Sequence, residues 1–316
     1  MTALEKLNPY LLDKPRPLIG ALTIQLVLLR EILDYTVLRT EETRELNSVN
    51  TPLSENDRTM VTKRVAFLGS KQKAAESRQM EYMLRSAAEA AKKKDIPSGK
   101  NGDGCYLKDN LCLACPRCGL YGASALGQEA NIKHRIEYST AFSLLPFDHI
   151  SEEITFNAVG ELDQKTGQAL GSRHVVKPAT LFPSIVTLKS VTREELILTV
   201  KTLLACKSYG AESRTGGDVR NTFFGVVAGW EEIITPLELT LELYDQKDRL
   251  DPQATAVLLE KKYKTLAGNP DQVMVLAPGE VDNLVEECAK APLDKAFLDK
   301  AYGDVAEYRT AQGEKK

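Results

Sequence analysis

Cys105-Tyr-Leu-Lys-Asp-Asn-Leu-Cys112-Leu-Ala-Cys115-Pro-Arg-Cys118 gathers four of the chain's six cysteines into one short run. The other two, Cys206 and Cys288, lie far from it and from each other. Four thiolates held close together want a soft cation, and tetrahedral Zn²⁺ is the commonest solution. The two-residue gaps let neighbouring backbone amides point at the sulfurs while the chain turns, and Pro116 and Gly119 suit that turn. Two alternatives stay open on the residues alone. An iron–sulfur cluster accepts the same close spacing, and the thiols can also stand reduced and unliganded. Disulfides are disfavoured because nothing marks the chain as secreted.

Outward from this run, the chain is of ordinary globular composition. It has 316 residues, 43% of them hydrophobic and 27% charged, with a net charge of −3. That length supports one large core or two modest ones. No global basic excess announces a nucleic-acid binder. No apolar run is long enough to span a membrane, and the N-terminus lacks a basic segment followed by an apolar one, so a cytoplasmic location is the expectation. The average hides an asymmetry. Arg58–Lys94 holds ten basic and three acidic residues, a net of +7, whereas Glu231–Lys316 holds eighteen acidic and eleven basic, a net of −7. Opposite-signed segments suit an anionic ligand on one side or head-to-tail self-association, against the plainer reading of solvated helix faces.

Read in order, residues 1–20, with Pro9, Pro15 and Pro17, predict an irregular arm. In Ala21–Arg39, Leu22, Ile24, Leu26 and Leu28 alternate with Thr23, Gln25, Val27 and Leu29, which predicts a long first strand bulged near Arg30–Glu31. Residues 46–76 are polar and basic, and predict a long functional loop. Met80, Met83, Leu84, Ala87, Ala88 and Ala91 stripe a helix over 77–94. Ile132–Leu145 alternates as a strand, with His134 on its apolar face and Lys133 and Arg135 opposite. Residues 151–181 predict a protruding hairpin, 182–190 a strand, 194–207 a second helix, 209–221 a glycine-rich polar loop, and 222–230 a further strand. From Pro236 the pattern is helical. The order matches an α+β, β-α-β-β-α-β ferredoxin-like core with insertions.

At Cys112-Leu-Ala-Cys-Pro-Arg-Cys-Gly-Leu-Tyr-Gly122 the chain resembles backbone subunits of CRISPR effector complexes in the RAMP superfamily, in which a cysteine knuckle runs into Gly-Leu-Phe/Tyr-Gly. The helix, Ser/Thr/Arg/Gly-rich loop and strand over 194–230 form the second point of resemblance. Leu38-Arg-Thr-Glu-Glu-Thr-Arg44, Arg135-Ile-Glu-Tyr-Ser-Thr-Ala-Phe142 and Phe156-Asn157 bring it nearest the type I-D backbone subunit, the Csc-two branch of the Cas-seven family. The resemblance spans about residues 20–230 and leaves the acidic helices after Trp230 unmatched. It implies one RRM-like palm over 1–316, a basic and zinc-knuckle insertion region at 46–120, a thumb hairpin at 151–181 and a helical acidic region at 236–316. It further implies a non-catalytic subunit whose copies polymerise along CRISPR guide RNA and present it to target DNA or RNA. Its other partners would be the Cascade subunits that bind the 5′ handle and the large and small subunits, with no membrane partner.

The residues lend independent support. A protein that tracks an RNA backbone needs scattered basic side chains and glycine loops rather than one catalytic cluster. Arg39, Lys63, Arg64, Lys71, Lys73, Arg135, Arg173, His174, Lys177, Lys207, Arg214 and Arg220 supply charge, Gly216 and Gly217 permit close approach to phosphates, and Phe156 offers a wedge against bases. The strands carry no RNP-type aromatic pair, so base stacking of the ordinary RRM kind is not implied. The chain's three histidines, His134, His149 and His174, sit in no nucleophile or metal motif. Related subunits of type III complexes cleave RNA with an acidic residue near the position of Glu41 and Glu42. A lone carboxylate without a metal partner or neighbouring base is weak support for a metal-dependent RNase. A zinc-stabilised protein-interaction module is the remaining alternative.

Overall fold

The computed structural model describes residues 1–39, 45–97, 102, 104–106, 110–124, 131–159, 166–210 and 217–313, and only the backbone of 156–159 and 166–171. In chain order the elements are α1 (Ala3–Lys6), β1 (Thr23–Ile32), β2 (Ser48–Pro52), β3 (Val61–Phe67), α2 (Gly69–Ala90) and α3 (Pro116–Tyr121). There follow β4 (Ile136–Tyr138), β5 (Ala141–Phe142), α4 (Phe147–Ile150), β6 (Ser151–Val159), β7 (Thr166–Val176), β8 (Leu181–Lys189), α5 (Arg193–Ala205) and β9 (Val219–Gly229). The chain ends with α6 (Pro236–Tyr244), α7 (Pro252–Leu258), α8 (Lys264–Leu266), β10 (Met274–Val275), α9 (Pro278–Lys290) and α10 (Lys295–Gly313). The fold is mixed α+β with antiparallel sheets.

The central sheet has five strands in the order β10-β9-β1-β8-β4, every neighbouring pair antiparallel. Strand β1 lies in its middle because both its faces are apolar, as a strand covered on both sides requires. Ile24, Leu26 and Leu28 pack under α2 and α5 with Met80, Leu84, Leu196 and Leu203. Val27 and Leu29 pack on the opposite face with Leu239, Leu243 and Leu259 from the C-terminal helices. The acidic C-terminal region therefore supplies the second cover of the sheet. A third apolar cluster, with Phe67, Ile150, Val176, Phe182 and Tyr209, closes one end of the sheet.

Several expectations are corrected. The bulge opposite β1 falls between Val27 and Leu28, where β9 carries an extra residue, Phe224, and not near Arg30. Residues 46–76 are not a loop: β2 and β3 pair as a hairpin that β5 extends, and α2 begins at Gly69. Gly69, within the stretch expected as a loop, sits in the helix, where a Cβ would collide with the Tyr138 carbonyl. The strand expected over 132–145 divides at Ser139–Thr140, where the chain leaves β8's side for β3. The expected N-terminal arm includes a capped turn, α1, whose Ala3 and Leu4 amides donate to the Glu287 carboxylate at 3.1 and 3.0 Å. The hairpin over 151–181 is present as β6–β7, pairing only with itself among the described strands. No described helix is long and apolar enough to cross a membrane.

Candidate metal centre and nucleic-acid face

Cys115 is the N-cap of α3, its Sγ accepting the Cys118 amide at 3.4 Å. Cys112 Sγ accepts from the Ala114 amide and Cys105 Sγ from the Cys112 amide, both at 3.5 Å. Leu113 adopts a left-handed φ of 57° that folds the chain over the sulfurs. The four Sγ atoms all lie within 4.8 Å of one another, with Cys105–Cys118 at 3.4 Å and Cys112–Cys118 at 4.0 Å. Four sulfurs about 2.3 Å from a tetrahedral ion would stand about 3.8 Å apart, so the donor set fits. Cys105, Cys115 and Cys118 are buried and Cys112 is half-buried. The four sulfurs can hold a metal ion.

Electrostatics point the same way. Hydrogen bonds from Cys105, Cys112 and Cys115 push the Cys118 thiol well down, and the Cys112 hydrogen bond lowers Cys105 to about 7. The same crowding pushes Cys112 and Cys115 up. Four thiols crowded together, three of them buried, cannot all ionise without countercharge, which a metal cation would supply. Arg117 supplies part: its Nη1 lies 3.9 Å from both Cys105 and Cys118 Sγ, while its Nε donates to Ser77 Oγ of α2 at 2.8 Å. Arg85 of α2 donates to the Cys105 carbonyl. On the far side Gly119 lies so close to α10 that a Cβ there would stand 2.8 Å from Val305 Cγ2.

A buried polar chain leads from this knuckle to the end of the sheet. Tyr121 stacks on Tyr138, and the Tyr138 hydroxyl donates to Glu76 at 2.5 Å. Glu76 also accepts from Tyr209 at 2.8 Å and pairs with the fully buried Arg30 at 2.7 Å. Arg30 donates to Asn221 Oδ1 at 2.8 Å. Sequence reading missed Arg30, Glu76 and Tyr209; the signal was a lone arginine at the inner end of an apolar strand.

The predicted RNA residues do not form one cluster. Gly217 (φ +56°), Lys207 and Arg220 gather at the end of the sheet where β1 exits and β9 begins. A Cβ on Gly217 would run into Thr36, whose backbone bridges Val176 at the root of the hairpin. Lys177, half-buried, follows that root, and Arg173 and His174 stand on β7 opposite Ile154 and Glu153. Arg220 is exposed and pairs with Glu31. Arg39 is half-buried where the described chain leaves the sheet. Lys63 is exposed, its ammonium 4.3 Å from the Phe147 ring centroid. Lys71 and Lys73 are half-buried in the first turns of α2.

Arg64 and Arg135 are corrections, because neither reaches the surface. Arg64 is fully buried, donating to Thr51 at 3.0 Å and to the carbonyls of Leu53, Ser143 and Leu144, and desolvation lowers its pKa to about 10. Arg135 donates to both oxygens of Glu195 and to the Ser190 and Gly119 carbonyls. His134 is exposed rather than a core residue. Arg214, Gly216, Glu41 and Glu42 lie outside the described residues, as does the side chain of Phe156.

The family model described as Csc2 Crispr matches residues 11–301. No curated protein matches the chain. The crystal structure of Thermofilum pendens Csc2 superposes with a TM-score of 0.69 at 22% identity, over 100% of this chain and 98% of that one. A chain of a CRISPR RNA-guided surveillance complex, pre-nicking, aligns at 11% identity and a TM-score of 0.52, over 84% of this chain and 100% of that one. At these identities the likeness is one of fold. The matched span passes Trp230 and enters α10, so the acidic helices that no motif had covered fall within the family's extent.

Proposed function

Because this chain belongs to the Csc2 CRISPR family, we propose that it is a non-catalytic backbone subunit that binds CRISPR guide RNA and presents it for pairing in a Cascade effector complex. The family match over residues 11–301 carries this reading. The strand order β9-β1-β8-β4, with α2 and α5 on one face, supports reading the core as an RRM-like palm. The β6–β7 hairpin is the thumb. Its root is held by the Ile32 amide, at the end of β1, on the Thr180 carbonyl at 2.9 Å and by the Thr36–Val176 bridge beyond that strand. Repeated copies would line the guide, each hairpin marking one interval along the duplex with target DNA. The 5′-handle-binding, large and small subunits would complete the assembly.

Zinc is the metal the cysteine site fits best, since the spacing of its sulfurs suits a tetrahedral ion with no open position. Held there, it would order the knuckle between α2 and α10 and supply no reaction. Arg117 and the Cys112, Ala114 and Cys118 amides would steady the thiolates. Purification of the native chain tests the reading. RNA of uniform length should accompany it, and guide-loaded protein given matched RNA and divalent metal should leave that RNA intact. Protein free of nucleic acid, or cleavage of the RNA, would contradict the proposal.

A further inference from the structure

The buried polar network between the knuckle and the end of the sheet has a fixed direction. A tyrosine hydroxyl carries one hydrogen. Tyr138 gives its own to Glu76 Oε2 at 2.5 Å, so at the 3.2 Å contact between the two hydroxyls Tyr121 donates and Tyr138 accepts. Tyr209 gives its own to Glu76 Oε1 at 2.8 Å, and accepts from Arg30 Nη1 at 3.0 Å and from Asn221 Nδ2 at 2.9 Å. Burial, then the charge of Glu76, raises the pKa of Tyr138 and of Tyr209 well above the usual tyrosine value, which keeps both as donors. Arg30 and Glu76 are fully buried, and Arg30 Nε and Nη2 find no acceptor among the described residues. The Arg30 charge is therefore answered chiefly by Glu76, and moving that carboxylate would leave a buried cation uncompensated.

Glu76 rides on α2, and the same helix holds the knuckle. Ser77 Oγ accepts from Arg117 at 2.8 Å, Glu81 Oε2 lies 3.7 Å from Cys115 Sγ, and Arg85 donates to the Cys105 carbonyl. Knuckle and sheet end are thus joined twice, through α2 and through the Tyr121–Tyr138 pair. Packed elements of this kind shift as units rather than deform continuously. We infer that metal binding at the four cysteines and the packing of Arg30, Tyr209 and Asn221 at the sheet end are energetically coupled, with Glu76 as the shared element. The inference rests on the metal reading above and not on guide binding. With the ion removed, the crowded sulfurs lose their countercharge, α3 loosens at its Cys115 cap, and Tyr121 withdraws from Tyr138. Then α2 and Glu76 relax together, and Tyr209, Arg30 and the start of β9 relax with them. Gly217, Lys207 and Arg220 lie at that end, so it is fully ordered only in the metal-loaded chain.

Two measurements on the full chain test it. In the first, hydrogen exchange read by mass spectrometry compares Zn²⁺-loaded wild-type protein with protein stripped by a chelator. Exchange should rise at the knuckle and also at residues 207–209 and 219–221, there by about fivefold or more, the low end of couplings between linked sites. It should stay unchanged in α6, across the sheet. A rise confined to the knuckle, or one equal throughout the chain, overturns the inference without relying on any variant. The second measurement uses reciprocity: each site must change the other by the same factor. Tyr209→Phe, at the far end of the network from the cysteines, should therefore lower Zn²⁺ affinity about fivefold or more in competition with a chromophoric chelator. Tyr263→Phe removes a similar hydroxyl, one that donates to Glu242 at 3.0 Å on the other face of the sheet, and should leave that affinity unchanged. Equal affinities in wild type and Tyr209→Phe, or equal losses in the two variants, overturn the coupling. Wild-type chain that takes up no Zn²⁺ would sink the metal reading and the coupling with it. Stoichiometric Zn²⁺ whose removal leaves the sheet end unmoved would sink the coupling alone.

Discussion

Arg135 donates to both carboxylate oxygens of Glu195, to the Ser190 carbonyl and to the Gly119 carbonyl, and is 1% exposed. Truncating it leaves Glu195 buried and uncompensated, which costs about 3–5 kcal/mol. Arg135→Ala should therefore unfold at markedly lower denaturant, and an unchanged midpoint would contradict the packing described. Arg220, of the same chemistry, pairs with Glu31 at an exposed position; its truncation should cost no more than about 1 kcal/mol. Nothing local in the sequence separates these two arginines. Glu195 lies sixty residues after Arg135, so its partner emerges only when α5 packs beneath the sheet. The cysteines were legible for the opposite reason, since all four candidate ligands fall in one short run. Cys105→Ser should release the metal and lower the melting temperature without changing any reaction. Stoichiometric zinc retained by a Cys105→Ser/Cys112→Ser variant would show that the four-sulfur assignment is wrong.

At the scale of elements, the strands and helices with unbroken patterns were readable: β8, α5 and the β6–β7 hairpin lie close to where alternation and turn residues place them, while β1 starts where expected but ends at Ile32, well short of Arg39. The β2–β3 hairpin was not, because β3 turns Arg64 inward and so breaks the apolar alternation that marks a strand. The start of α2 was hidden by Gly69, whose missing Cβ answers a tertiary contact rather than a turn. The same logic applies where α3 meets α10. Gly119→Ala would press a methyl against Val305 and should cost about 1–3 kcal/mol. Val305→Ala added to it should recover part of that loss, and strict additivity of the two changes would show that the helices do not meet there.

Across the whole molecule, the basic and acidic segments partly answer each other within one chain. Lys93, just after α2, pairs with Asp299 of α10 at 2.7 Å. The charge asymmetry of the sequence is thus not all surface for a partner. Gly217, Lys207 and Arg220 lie together at the end of the sheet, by the hairpin root. A glycine loop and an apolar first strand could be read from the sequence. That they meet at Thr36, on the bridge that roots the hairpin, could not, since it depends on the register of β1 against β9. The affinity of the purified chain for single-stranded RNA as a function of salt tests the account most directly. A backbone-tracking subunit should give a log–log slope of about −0.7 for each phosphate it neutralises, summing to several phosphates. A near-flat slope would contradict guide binding by this fold.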